Sequence, residues 1–108
     1  MDVMIERDIE GYLFNPDEWD IVIANELAKE EGIELDGNCW LILNFVRHYY
    51  GEHSIAAGFR HLISHLASIK KCSKTEAKKI IFNLFPYGYV KQVCKIAGMK
   101  RPRAWSTG

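Results

Sequence analysis

The sequence offers few of the signals that mark a chemical site outright. Cysteine is scarce and scattered: Cys39, Cys72 and Cys94, an odd number with no C-x-x-C pair. That argues against a disulfide framework and against a cysteine zinc site. A functional cysteine in this chain therefore acts as a thiol. Long hydrophobic runs are missing too. The longest, Cys39–Leu43, falls far short of the roughly 20 residues of a membrane span. The start is acidic (Asp2, Glu6), with no basic segment leading into an apolar one, so no signal peptide is expected and the cytosol is the expected location. No glycine-rich phosphate loop, internal repeat, low-complexity tract or Ser/His/Asp pattern is visible. No metal and no cofactor are expected.

Net charge is absent as well, but only in the sum. Residues 1–36 hold 12 acids against two bases, Arg7 and Lys29, while residues 37–108 hold two acids, Glu52 and Glu76, against 12 bases. The asymmetry implies an acidic face and a basic face. Either the two attract each other, or the basic part meets an anionic partner, protein or nucleic acid. The length of 108 residues is one domain's worth, and an apolar fraction of 48% excludes a disordered chain.

The pattern predicts an essentially all-α domain. A short hairpin pairs Val3–Glu6 with Tyr12–Phe14 around Asp8-Ile9-Glu10-Gly11. Asn15 caps a first helix with Pro16 at its first position, and Trp19, Ile23, Glu26, Leu27 and Glu30 lie on one stripe before a stop at Gly32. Asp36 or Asn38 caps a second, apolar on most faces, through Tyr50 with Gly51 as the stop. Ser54 caps a third, carrying Ile55, Phe59, Leu62, Ile63, Leu66 and Ile69 at helical spacing. Ser73-Lys74-Thr75-Glu76 is a capping box for a fourth, which Pro86 ends. A fifth runs from Tyr89 to Ala97, closed by Gly98. The division expected is a helical domain over 1–98 and a flexible basic arm over 99–108.

His61 and His65 share a helical face, yet Leu62 occupies the slot a zinc hydrolase fills with glutamate, so boundary histidines are favoured over a metal site. The third and fourth helices read as a helix-turn-helix with Lys70, Lys71, Lys74, Lys78 and Lys79. Such lysines attract phosphate without reading bases, and a solvated face is the simpler account. Cys94 is the most informative thiol. Lys91 precedes it by three residues and Lys95 follows directly, and cations favour the thiolate. The stripe Val90, Val93, Cys94, Ala97 points the other way, toward packing, and spacing alone favours packing.

The segment Phe85-Pro86-Tyr87-Gly88-Tyr89-Val90-Lys91-Gln92-Val93-Cys94-Lys95-Ile96-Ala97-Gly98, with Pro102 after it, resembles the end of the DsrC/TusE family, FPxGPxKQACKxAGxPKPTGC. Glu10-Gly11-Tyr12-Leu13, Asn15-Pro16 and Trp19 resemble its start. Trp40, Phe45, Arg47, Tyr49 and Tyr50 resemble its central helix, and Arg60 its P-x-x-R position. The family includes the gamma subunit of dissimilatory sulfite reductase and the TusE sulfur-relay protein.

The resemblance implies a small helical fold and sulfur trafficking. It implies a carrier of sulfurtransferase type, with a donor complex of the TusBCD/DsrEFH kind and a sulfite reductase or tRNA-thiolating enzyme as partners. In the family a penultimate arm cysteine takes up sulfur as a persulfide, and a second cysteine eleven residues upstream pairs with it in the DsrC branch. Cys94 falls on the upstream position, and the position eleven further on is Trp105. An indole cannot form that disulfide. Cys94 is then the one candidate persulfide site, with Lys91 and Lys95 favouring its thiolate and Lys100, Arg101, Arg103 and Trp105 docking the arm on a partner. The alternatives are an accessory or regulatory paralogue that only docks, with Trp105 as its anchor, and a helix-turn-helix-like DNA-binding regulator.

Overall fold

Four α-helices, a 3₁₀ turn and a closing π-helical turn make up the described residues. A computed structural model describes residues 6–55 and 57–100, without the Val90 side chain. The predicted mainly helical architecture is present. Of the hairpin, Val3, Met4 and Ile5 lie outside the described residues. The described remainder is one antiparallel bridge, Arg7 with Leu13, around a turn in which the Asp8 carboxylate accepts from the Glu10 and Tyr12 amides.

Asn15 and Pro16 do open a helix, but it lasts one 3₁₀ turn, Pro16–Glu18. Trp19 is extended (φ −76°, ψ 141°), which aims its indole at the far end of the chain. Asp20 then caps again, accepting from the Ile23 amide, and α1 runs Ile21–Glu30. The buried stripe of α1 is Ile23, Ala24, Leu27 and Ala28, whereas Glu26 and Glu30 face solvent. An ionised carboxylate leaves water only when paired, so the apolar positions set the stripe.

Asp36, not Asn38, caps α2 (Gly37–His53). This helix passes through Gly51. Two i,i+4 pairs carry it over: Tyr49 against the His53 ring, 4.3 Å between centroids, and His48 with Glu52. Ser54 ends α2 in the left-handed conformation (φ 59°) and so does not begin the next helix. α3 (Phe59–Lys70) starts from Gly58 without a side-chain cap, and Ile55, expected on its apolar stripe, is 60% exposed. Ser73 caps α4 (Lys74–Leu84) as predicted, its Oγ accepting from the Glu76 amide. The chain leaves α4 at Phe85, where the following Pro86 disfavours helical backbone.

The core gathers Ile42, Leu43 and Val46 of α2, Leu62 and Leu66 of α3, Ile81 of α4, and then Phe85, Tyr89, Val93, Ile96 and Met99. Each such side chain withdrawn from water contributes about 1.5–3 kcal/mol before entropy. Much of the core is thus supplied by the last described segment. The fifth helix is a π-helical turn, Tyr89–Cys94, rather than an α-helix. Burial extends past the expected boundary at 98, since Met99 is 1% exposed. Arg101, Arg103 and Trp105 lie outside the described residues.

Candidate functional site

The C-terminal segment is fastened on three sides, and Cys94 lies inside the fastening. On one side Glu31, just after α1, accepts from Gln92 Nε2 at 3.1 Å and from Lys95 Nζ at 3.3 Å. Gln92 itself is buried, and its Oε1 accepts from the Tyr87 amide. On a second side the indole of Trp19 donates to the Ile96 carbonyl at 2.8 Å, and Arg47 donates to the Ala97 carbonyl at 3.2 Å. The Arg47 guanidinium also lies 4.6 Å over the Trp19 ring and 5.9 Å from the Tyr50 ring, cation–π contacts that hold the pair in register.

On the third side the segment closes on itself. The Met99 amide donates to the Cys94 carbonyl and the Gly98 amide to the Lys95 carbonyl, with Gly98 left-handed at φ 78°. That is a Schellman closure, which needs glycine at this position.

Cys94 is 0% exposed. The Tyr89 hydroxyl, five residues back across the π turn, donates to the Ala57 carbonyl. It also interacts with the Cys94 thiol. Burial pushes the Cys94 thiol up to about 12, while the Tyr89 hydroxyl pulls the other way. Burial also raises Tyr89 itself, with the neighbouring thiol adding to the effect. Spacing led to the expectation that Lys91 and Lys95 favour the thiolate. Lys91 is exposed, Lys95 is committed to Glu31, and desolvation decides the thiol.

All three cysteines are free thiols. Cys39 is buried in the first turn of α2, and burial raises its thiol. Cys72 is half-buried just after α3, the most accessible of the three. His65 stacks on Phe45 at 4.3 Å and His61 on Tyr49 at 5.6 Å, so both act in packing between α2 and α3. Among the described residues no three His, Cys, Asp or Glu converge as a metal site would require. α3 and α4 pack as a helical pair, with Lys70 donating to Asn38 Oδ1 at 2.6 Å. Of the arm residues, Lys100 is described and exposed.

Tyr89, Glu31 and Gln92 carry the geometry around the thiol, and sequence spacing singled out none of them. Their partners are 32 and 61 residues away, beyond any periodic signal. Arg47 was marked by the family resemblance alone, and Trp19 by the resemblance and by its place on the first helix's stripe.

A small helical domain that closes its C-terminal segment over one thiol defines a class of single-domain thiol protein. Comparison with known proteins places it within that class: the chain belongs to the DsrC family, matching the family described as "DsrC like protein" over residues 1–104. It is 40% identical over 99 residues to the sulfurtransferase TusE of Buchnera aphidicola subsp. Schizaphis graminum, covering 91% of this chain and 85% of that one. Its fold is similar to the oxidized gamma-subunit of the dissimilatory sulfite reductase (DsrC) from Archaeoglobus fulgidus, with TM-score 0.82, 31% identity, and 93% and 90% of the two chains covered. It is likewise similar to DsrC from Allochromatium vinosum, with TM-score 0.81, 36% identity, and 96% and 95% covered.

Proposed function

We propose that this protein is a sulfur carrier in a relay, with Cys94 as the atom that takes up sulfur. The relatives named sulfurtransferase TusE and the DsrC structures support the relay role. For the residue, the observation that carries the reading is placement. Of the three thiols, Cys94 alone lies in the π-helical turn at the base of the C-terminal segment, beside the Tyr89 hydroxyl and within the apolar core. Such turns recur at functional positions.

Transfer starts from the thiolate, so the segment must first lift and hydrate Cys94. The thiolate then attacks the outer sulfur of a donor persulfide. A new S–S bond forms at Cys94, the donor's S–S bond breaks, and the donor cysteine leaves as its thiolate. No external oxidant is consumed. In the closed state the protonated thiol is inert, which keeps cargo uptake dependent on a partner that opens the segment. The donor is a complex of the TusBCD/DsrEFH type, and the acceptor a sulfite reductase or a tRNA-thiolating enzyme. Lys100 begins the basic arm that reaches it, and Arg101, Arg103 and Trp105 continue that arm. The relay operates in the cytoplasm; no described helix is long and apolar enough to cross a membrane.

Incubation with a sulfurtransferase and a persulfide donor, followed by intact mass and peptide mapping, tests the residue. The expected result is one added sulfur on Cys94, lost in Cys94→Ser and kept in Cys72→Ser. Sulfur on Cys39 or Cys72, or on none, would overturn Cys94 as the carrier and leave docking as the role. The burial of Cys94 is the observation that favours this second reading.

A further inference from the structure

Between α3 and α4 lies a groove of about 330 Å³, lined by Phe59, Arg60, Ile63, Lys74, Thr75 and Lys78. Its construction is specific in two respects. The rim is cationic: Arg60, Lys74 and Lys78 are exposed, and among the described residues no carboxylate pairs with any of them. The floor is apolar and only half-covered. Phe59 and Ile63 form it, and Phe82, 36% exposed, meets Phe59 edge-on at 5.9 Å and extends it.

We propose that this groove docks an acidic segment of a partner protein that presents leucine-like side chains from one face. Three unneutralised cations around one small groove call for an anionic occupant by charge complementarity. The apolar floor narrows the class. A nucleic-acid backbone offers phosphates and no hydrocarbon to fill it. An anionic membrane would require apolar side chains standing proud of the cations, and here they lie beneath them. An amphipathic acidic segment supplies both, carboxylates to the rim and hydrocarbon to the floor.

The groove also has an address. Phe59 stacks on Tyr89 with ring centroids 5.4 Å apart at 22°, and Tyr89 is the hydroxyl beside Cys94. An occupant in the groove is thus separated from the thiol by two stacked rings. That connection rests on the sulfur-relay reading; the docking does not, and a Cys94→Ala chain separates the two.

The test is a titration of isotope-labelled full-length protein with a synthetic helical peptide bearing glutamate on one face and leucine on the other. Saturable shifts at Phe59, Ile63 and Thr75 are expected, equal in the Cys94→Ala chain. The double change Lys74→Glu, Lys78→Glu is expected to weaken binding about tenfold or more. Both side chains are exposed, so the variant should keep its circular dichroism. Polyglutamate binding as tightly as the peptide would overturn the apolar half of the proposal. Displacement of the peptide by lower concentrations of a random DNA duplex or of phosphatidylglycerol vesicles would overturn the choice of partner. Shifts confined to other surfaces, or none, would overturn the site.

Discussion

The ring of Trp19 occupies the space that a side chain on Gly98 would need. A Cβ built at Gly98 runs into the indole at Cβ, Cγ and Cδ1, and Gly98 is left-handed as well. Two residues at opposite ends of the described chain therefore fix each other. Gly98→Ala is expected to destabilise by roughly 1–3 kcal/mol through overpacking, with the left-handed strain in addition. Urea unfolding measures this, and Gly32→Ala, left-handed but with open space around it, separates strain from collision. Equal losses at the two glycines would count against the Trp19 contact.

Tyr89→Phe should separate the hydroxyl from the ring. The Ala57 carbonyl is buried and loses its side-chain donor, a loss of about 1–3 kcal/mol. The Cys94 thiol also loses the one neighbour that pulls its pKa down, so its titration moves further up. Alkylation of Cys94 in the folded protein at pH 9 is expected to slow relative to the wild type, once global unfolding is held equal with stabilising salt.

Burial of Cys94 makes stability depend on alkaline pH. The thiol titrates near 8.5 in an unfolded chain and is pushed up to about 12 in the fold. The folded state therefore holds the proton more tightly. The stabilisation is complete below about 8.5 and is lost as pH rises toward 12, with a slope approaching about 1.4 kcal/mol per pH unit. Cys39, also raised by burial, adds in the same sense. Urea midpoints at pH 7 and pH 10 should fall less in Cys94→Ala than in the wild type. Parallel losses in the two proteins would show that the thiol is not responsible.

Glu31→Ala removes the shared acceptor of Gln92 and Lys95. The ion pair is largely shielded from water, and its loss leaves a buried amide donor and a cation without their partner, about 1–3 kcal/mol in total. Hydrogen exchange over 89–99 is expected to quicken, and Cys94 to become alkylated faster, while exchange in α3 stays unchanged. Uniform acceleration across all helices would indicate global rather than local loosening.

Local chemistry made several elements legible in advance. Asp36, Ser73 and Pro86 act as their residue types predict, because a cap or a proline needs only its immediate neighbours. Ser54 misled because serine also tolerates the end of a helix, and here the i,i+4 pairs of α2 carried that helix past Gly51. Trp19 left the predicted stripe because its indole found the Ile96 carbonyl, 77 residues away. No periodicity encodes such a partner.

By itself the sequence determined the helices, most of their ends and the family, since each depends on neighbours within a turn or on residues matched in order. The tertiary structure alone decided the state of Cys94. Two lysines close to it in sequence argued for a thiolate, yet one faces water and the other is held by Glu31. The sulfur lies beside the Tyr89 hydroxyl, in an apolar core to which all four α-helices contribute. Solvation acts through space, and only the folded chain says which groups share that space.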